Sequence, residues 1–410
     1  MFRWSVLTLI VAGCGRAILF QGVFRELRIA SGSMAPSHRG PHYAWRCVDC
    51  SAFFACDHGQ WPGNDIIVCP HCGNRENSRD ESQLQPGQRV YIDRFPFFVR
   101  DPRRGEVVAF QAGENGWEVK RVIGLPGEKI GIRGGDIWID GRRRTKSLDE
   151  FDETAILVND AAFPAKRSKL PPRWRSKSNN WKRTADALFQ WNDSPPEIDW
   201  LTYHHRSGSL SPRAAGLPAP VVDIYGENQN VARPLFLIRD LVLKVTVTAD
   251  ESYQMRVENG LRSIHAECRL DDRRLLLQID GASHEIPLPS GGTRWVWRLG
   301  FIDHQAVVEL NGREIFRTAL ATLSESKTEK FSTTPAAVGA SEGSLTLHEL
   351  QLWRDIYRLD PEGIGRPWQH PQLESHQFLV LGDNAPISMD SRMRGPIRRN
   401  LLAGKVLRAR

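Results

Sequence analysis

Past residue 24 the chain has no apolar run approaching the roughly 20 residues that a helix needs to cross a bilayer, so a polytopic membrane protein is excluded. It has no internal repeat, which removes solenoids and propellers from consideration. Charge of one sign is not concentrated anywhere. The Lys and Arg residues behind the net charge of +7 and pI of 9.1 are scattered, which points to a basic solvated face and not to a nucleic-acid stripe. None of the twelve histidines sits in a pattern resembling a Ser-His-Asp enzyme: His204 and His205 fall in a loop-like stretch, and His38 reads as polar surface. Polar excess is missing too. With 40% hydrophobic residues and 9% aromatics over 410 residues, the chain can bury a core and suits two or three domains.

One long apolar segment is present. WSVLTLIVAGCGRAILF, residues 4–20, is interrupted only by Arg16 and would span about 26 Å as a helix, close to a bilayer core. Arg16 lies near one end, where its side chain can reach the headgroups. The expectation is a single transmembrane anchor over 1–24. A cleaved signal peptide, or a lipoprotein-type site at Cys14, are the competing readings, and all three deliver the rest of the chain across a membrane. Arg3 on one side and Arg25 and Arg28 on the other leave the direction open.

Beyond this segment the sequence alternates with period two between Gly, Asn and Asp turns, the mark of short strands. QRVYIDRF (88–95), GEVVAF (105–110), WEVKRVIGL (117–125) and GDIWIDG (135–141) form one group. A second runs from about 235 to 357 and includes LVLKVTVTAD and a predicted Asn-Gly hairpin in AVVELNGREIFR. Residues 142–200 between them are basic and aperiodic, with Trp174 and Trp181, and read as a linker or irregular domain entrance, with a membrane-surface or nucleic-acid patch as the lesser alternative.

The serines of IASGSMAP, residues 29–36, raise a chemical question. A serine hydroxyl is a poor nucleophile until a base takes its proton. Without a suitable histidine, the alternative is a lysine whose amine is neutral. Bringing it from about 10.4 to about 7–8 requires burial to disfavour the ammonium by roughly 4 kcal/mol. On a strand over 117–123, Lys120 and Arg121 point to opposite faces, and only the lysine can lose its proton. Taken alone, Lys-Arg on a strand is a structural pair and Ser-Gly-Ser is a turn.

The order of the pieces is more specific. An apolar anchor, SGSMAP, RRGEVVAF, KRVIGLPGEKI and finally GDNAPISMDSR at 382–392 together resemble the bacterial type I signal peptidases, membrane-anchored serine proteases with a Ser-Lys dyad. These motifs cover about a third of the chain. The resemblance implies Ser33 as nucleophile, Lys120 as general base, and the Ser31 hydroxyl with the Ser33 N–H as oxyanion hole. It also implies that Ser388 holds the Lys120 amine by a hydrogen bond, that Asp390 and Arg392 brace their loop as an ion pair, and that Gly382 lets the backbone pass close to the site. After Asn384 the residues usual in the family are polar, whereas here they are Ala385 and Pro386.

The fold implied is mainly β: an antiparallel catalytic body behind a transmembrane helix, with a zinc ribbon and a β-sandwich inserted. The expected divisions are an anchor over 1–24, catalytic body over 25–142 with a ribbon at about 41–80, an inserted linker and sandwich over 143–370, and the rest of the body over 371–410. The partners implied are exported preproteins with small residues before the cut, lying against strand edges at 27–31 and 117–120, and a lipid bilayer. The implied location is the extra-cytoplasmic side of the bacterial inner membrane. No nucleic acid is expected, and catalysis needs no cofactor.

The ribbon rests on its own residues. Cys47 and Cys50, then Cys69 and Cys72, form two C-x-x-C pairs whose spacing suits one tetrahedral zinc. Four thiolates would close the coordination sphere, making the zinc structural. Two local disulfides or a redox pair are the other reading, and Cys56 and Cys268 are expected to be buried and inert. The second insertion, ending in LTLHELQLWRDIY, resembles concanavalin-like or laminin-G-like sandwiches, with no ligand identifiable. Two other functions compete with an active leader peptidase. One is a scaffold that only carries the modules. The other is a self-cleaving Ser-Lys protein of the LexA type.

Overall fold

The computed structural model describes residues 23–63, 66–75, 77, 82–113, 116–166, 171–184, 186–193, 195, 197–206, 216–321 and 331–408. Among these no helix is long and apolar enough to cross a membrane. The expected anchor and Cys14 lie outside the described residues. The protein is mainly β, and its helices are single turns such as Pro96–Val99, Leu148–Asp152 and Ser391–Arg394.

A seven-stranded antiparallel sheet forms the body. Its order is Phe24–Arg28, Arg89–Asp93, Leu402–Arg408, Val107–Ala112, Gly116–Gly124, Gln377–Leu381 and Ile397–Arg398. The period-two pattern explains its two faces. Val107 and Ala109 join Ile29, Met34, Val90, Ile92 and Val406 in one buried cluster, whereas Val108 and Phe110 join Val122, Phe378 and Val380 in another. Each such side chain contributes about 1.5–3 kcal/mol when fully buried.

A four-stranded sheet ordered Arg142–Arg143, Asp136–Ile139, Ile130–Arg133 and Trp368–Gln369 carries the chain out of the body and back. Exit and return are its two edge strands, only about 14 Å apart at normal strand spacing, so a large domain fits between them without disturbing the body. Trp368 and Gln369 pair with Ile132 and Gly131 on the return.

The inserted domain is a sandwich of two larger sheets. Leu241–Ala249, Arg294–Ile302 and Ser344–Arg354 are central in one, Tyr253–Glu258 and Ala336–Ala340 in the other. The predicted hairpin is present between Gln305–Leu310 and Arg313–Ala319, with positive φ at Asn311 and Gly312 as a tight two-residue turn requires. The stretch read as a linker is different from expectation. Ile156–Asp160 and Phe189–Asn192 pair with Ser344–Arg354, Asp199–Tyr203 pairs with Ala336–Ala340, and Trp174, Trp181 and Trp191 are buried in the core. These strands are short and broken by loops, which hides their alternation, and their aromatics supply the core that longer strands would.

Lys146 clamps the start of the insertion, its ammonium 2.7 Å from Asp355 and its backbone N–H 2.6 Å from Asp303. The neighbouring carboxylates of Asp136, Asp240 and Asp303 thus already have a cation in their midst. A small sheet of His42–Arg46, Phe53–Asp57 and Gln83–Gln85 builds the cysteine module, with Trp45 stacked on Phe54 at 5.5 Å.

Candidate active site

Ser33 lies in the single 3-10 turn Gly32–Met34, entered from an extended Ser31. Met34 is buried among Ile29, Val90 and Val107 and pins the turn to the sheet, while the Ala35 N–H closes it on the Gly32 carbonyl at 3.0 Å. A Cβ at Gly32 would lie 2.2 Å from an Asp57 carboxylate oxygen, so any side chain there would displace Asp57.

Lys120 approaches from the strand Gly116–Gly124. Its Nζ and Ser33 Oγ are 2.8 Å apart, in hydrogen-bond contact, and the lysine is only 4% exposed. Burial lowers its pKa, against the pull of the Glu118 and Asp390 carboxylates, so the neutral amine is favoured relative to a lysine in water. A neutral amine at this distance can accept the hydroxyl proton. The Ser31 hydroxyl also donates to Ser33 Oγ at 3.3 Å, and Ser31 is exposed.

The 382–392 loop closes over this pair. Asn384 donates twice to the turn, from its backbone N–H to the Ser33 carbonyl (3.0 Å) and from Nδ2 to the Gly32 carbonyl (3.1 Å). Gly382 passes so close that a Cβ would come 2.4 Å from the Ser33 carbonyl oxygen and 2.1 Å from Ser388 Oγ. Asp390 and Arg392 form a buried two-bond ion pair, both contacts at 2.8 Å, and Asp390 also accepts the Gly382 N–H at 3.0 Å. Burial pushes the Asp390 carboxyl up, but Arg392 outweighs it and the net pKa is lowered.

Ser388 departs from expectation. Its hydroxyl is buried against Gly382 and beside the Asp390 carboxyl, whose charge it favours, and it makes no hydrogen bond to the Lys120 amine. The tight Gly382–Ser388 packing commits the side chain to the loop's own interior. His38, read as polar surface, is buried, because its N–H closes the next turn on the Met34 carbonyl at 2.8 Å.

Several residues here carry no assignment from sequence reasoning. Asp383 is fully buried and bound by both Nε and an Nη of Arg121, at 3.0 and 2.9 Å; it also accepts from the Ser37 hydroxyl. Burial opposes its charge, yet Arg121 holds its pKa down at about 2. Arg121, which cannot act as a base, thus ties the lysine strand to the closing loop. Arg358 donates to the Gly382 carbonyl at 2.6 Å, and the Tyr225 hydroxyl to the Asp383 carbonyl at 3.1 Å. Asp383 is visible within the GDN run. Tyr225 and Arg358 come from the insertion, and nothing in their local sequence marks them.

The four predicted cysteine ligands converge. The Sγ atoms of Cys47, Cys50, Cys69 and Cys72 lie within 4.8 Å of one another, with Cys47–Cys72 at 3.5 Å and Cys50–Cys69 at 3.8 Å. Tetrahedral thiolates about 2.3 Å from a zinc stand about 3.8 Å apart, so this donor set fits a metal ion. Each pair sits on a tight turn, closed by Ser51 N–H to the Cys47 carbonyl and Gly73 N–H to the Cys69 carbonyl. All the described cysteines are free thiols, so the local disulfides are not formed. Cys56 and Cys268 are buried, and burial pushes each thiol up to about 12, which keeps them protonated and inert.

Residues 64–197 match the protein family described as "Signal peptidase, peptidase S26". Ser33 precedes that span and Lys120 falls within it. Over 81 residues the chain is 33% identical to the probable signal peptidase I-2 of Synechocystis sp., covering 18% of this chain and 35% of that protein. Over 79 residues it is 31% identical to signal peptidase IB of Staphylococcus aureus, covering 19% and 40% respectively. The chain thus spans between a third and two fifths of the length of these curated relatives. Among solved structures, a carbohydrate binding module from Bacillus subtilis aligns with 44% of this chain and 94% of its own at 8% identity, with a TM-score of 0.28, too weak a likeness to carry an argument. The chain is mainly β, and part of it is similar to the signal peptidase, peptidase S26 family.

Proposed function

We propose that this protein is a serine endopeptidase of the type I signal peptidase kind, which removes N-terminal leaders from exported preproteins. The observation that carries the reading is the 2.8 Å contact between Ser33 Oγ and the buried Lys120 amine, in a chain similar to signal peptidases I. Neutral Lys120 takes the Ser33 proton as Oγ attacks the scissile carbonyl carbon. Negative charge moves to the carbonyl oxygen, where the Ser31 hydroxyl and the Ser33 N–H are the proposed donors. The ammonium then protonates the leaving amine, and an ester to Ser33 remains. Water repeats the cycle, giving its proton to Lys120 and freeing the new carboxyl end.

The strand order supports an extended substrate. Phe24–Arg28 is an edge strand, and Gln377–Leu381 pairs only with residues 121–124 of the lysine strand, leaving 116–120 open on that side among the described strands. A leader laid between these edges would gain backbone hydrogen bonds, with shallow pockets selecting small side chains. The anchor over residues 1–24 would hold the site beside the extra-cytoplasmic membrane surface, where such leaders emerge. Zinc on Cys47, Cys50, Cys69 and Cys72 would supply a structural cross-link and take no part in the chemistry.

Cleavage of a purified preprotein by wild type, Ser33→Ala and Lys120→Ala tests the reading. Both variants should lose activity by at least about a thousandfold. Equal cleavage by either would end the dyad assignment. Cleavage of the chain itself but of no preprotein would favour the self-cleaving alternative.

A further inference from the structure

The carbonyls of Gly32 and Ser33 are both held by Asn384, which is fully buried. One of those two bonds depends on which way the Asn384 amide faces. Rotated by half a turn, the side chain would present its oxygen to the Gly32 carbonyl, and the bond would become a repulsion. Asn228, 156 positions away in the inserted domain, pairs with this amide in both directions, donating from Nδ2 to Asn384 Oδ1 at 2.7 Å and accepting from Asn384 Nδ2 at 2.9 Å, so that Asn384 cannot turn unless Asn228 turns with it. With its oxygen taken up by Asn228, Asn384 has one remaining N–H, and that one points at Gly32.

Asn228 is itself held by groups remote from the reacting atoms. Gln229 bonds the Val68 backbone in both directions, at 3.2 and 3.1 Å, beside Cys69 of the cysteine module. The Glu227 carbonyl accepts the Asp57 N–H at 2.9 Å, and the Tyr225 hydroxyl reaches the Asp383 carbonyl. Segment 225–229 is therefore wedged between the cysteine module and the closing loop, with the Asn228 amide as its tip.

We propose that Asn228 is a positioning residue for the nucleophile. Through Asn384 it sets the Gly32–Met34 turn, and with it the aim of Ser33 Oγ at Lys120 and of the Ser33 N–H at the developing oxyanion. The proposal rests on the peptidase reading of this site. It also makes the insertion part of the active-site support, which supplies polar partners to a loop that has Ala385 and Pro386 in place of polar residues.

The test is a double-mutant cycle in the full-length chain, with preprotein cleavage measured for wild type, Asn228→Ala, Asn384→Ala and the double variant. Asn228→Asp serves as the near-isosteric variant that keeps the acceptor and loses the donor. Loss of aim should lower kcat by about tenfold to a hundredfold in either Asn228 variant while KM stays within about twofold. The double variant should be no worse than Asn384→Ala, because Asn228 acts through it. Unchanged kcat in Asn228→Ala, additive losses in the double variant, or a rise in KM alone would overturn the proposal. Amide hydrogen exchange over residues 29–38 gives a readout independent of turnover. Faster exchange there in Asn228→Ala, with the sandwich strands unchanged, is expected, and unchanged exchange counts against the proposal. If Ser33→Ala cleaves as well as wild type, the peptidase reading fails, and the exchange experiment still decides whether Asn228 positions the turn.

Discussion

Ser33 and Lys120, 87 positions apart in sequence, meet at 2.8 Å beneath a loop that arrives only after residue 381. Neither residue could work where its own neighbours leave it. The serine needs a base, and the lysine needs a dry environment that its strand alone does not provide.

The depressed pKa of Lys120 carries a sign that can be checked. Cleavage requires the neutral amine, so kcat/KM should rise with pH on an acid limb lying below the ordinary lysine range near 10.4. Burial disfavours the ammonium, so between the folded and unfolded pKa values the folded state binds fewer protons and its stability rises with pH. Lys120→Met should therefore abolish cleavage and at neutral pH be at least as stable as wild type in urea unfolding. A marked destabilisation would mean that the ammonium is paired, not stranded.

Arg121 and Asp383 should behave as a buried pair. Removing one partner leaves Arg121 with Glu153 at 2.6 Å in Asp383→Ala, or Asp383 with Arg358 at 3.6 Å in Arg121→Ala, so each variant should be destabilised in denaturant unfolding by less than the roughly 3–5 kcal/mol of a fully stranded charge. The Asp383 carboxyl sits at about 2 in the folded state against an ordinary 3.8, so its contribution is complete above about pH 4 and is lost as pH falls toward 2. An acid-unfolding curve unchanged by Asp383→Asn would contradict this.

At Gly382 the prediction concerns space. Gly382→Ala places a methyl 2.4 Å from the Ser33 carbonyl oxygen, which is backbone and cannot step aside without moving the nucleophile. Activity should fall by about a hundredfold for a displacement near 1 Å. Adding Ser388→Ala removes only the Oγ at 2.1 Å, since the Ser388 Cβ stays 2.5 Å from the new methyl, so melting temperature should recover in part and activity should not. Full recovery of both would show that only the side-chain clash mattered.

For the cysteine module, one metal ion per chain is expected by elemental analysis, with Co2+ giving thiolate charge-transfer absorption at one equivalent. Cys47→Ser or Cys69→Ser should lose the ion and destabilise the module. Because Val68 braces Gln229 beside Asn228, kcat should fall as well. A chain that carries no metal and forms disulfides on gentle oxidation would remove the zinc assignment.

Much of the body is legible in one dimension because strands impose period two and turns demand particular residues. Val107–Ala112, Gly116–Gly124 and the Asn311-Gly312 hairpin fall where alternation and turn chemistry put them. The C-x-x-C pairs likewise announce themselves, since a tight turn presents both thiolates whatever surrounds it. The strands within 156–203 do not, because two to five residues are too few to establish a period and their aromatics look like loop residues until a core closes on them.

The amino-acid order determined which groups are available: two serines on a glycine turn, one lysine able to lose a proton, four cysteines in pairs, and strands to carry them. Only the tertiary structure decided that Lys120 is dry, that Ser388 faces its own loop, and that Asn228 and Tyr225 of the insertion reach the nucleophile's support. Burial and hydrogen-bond partnership are properties of what comes to lie nearby in space, and the residues that bring them can stand far away along the chain, 87 positions for Lys120 and Ser33 and 156 for Asn228 and Asn384.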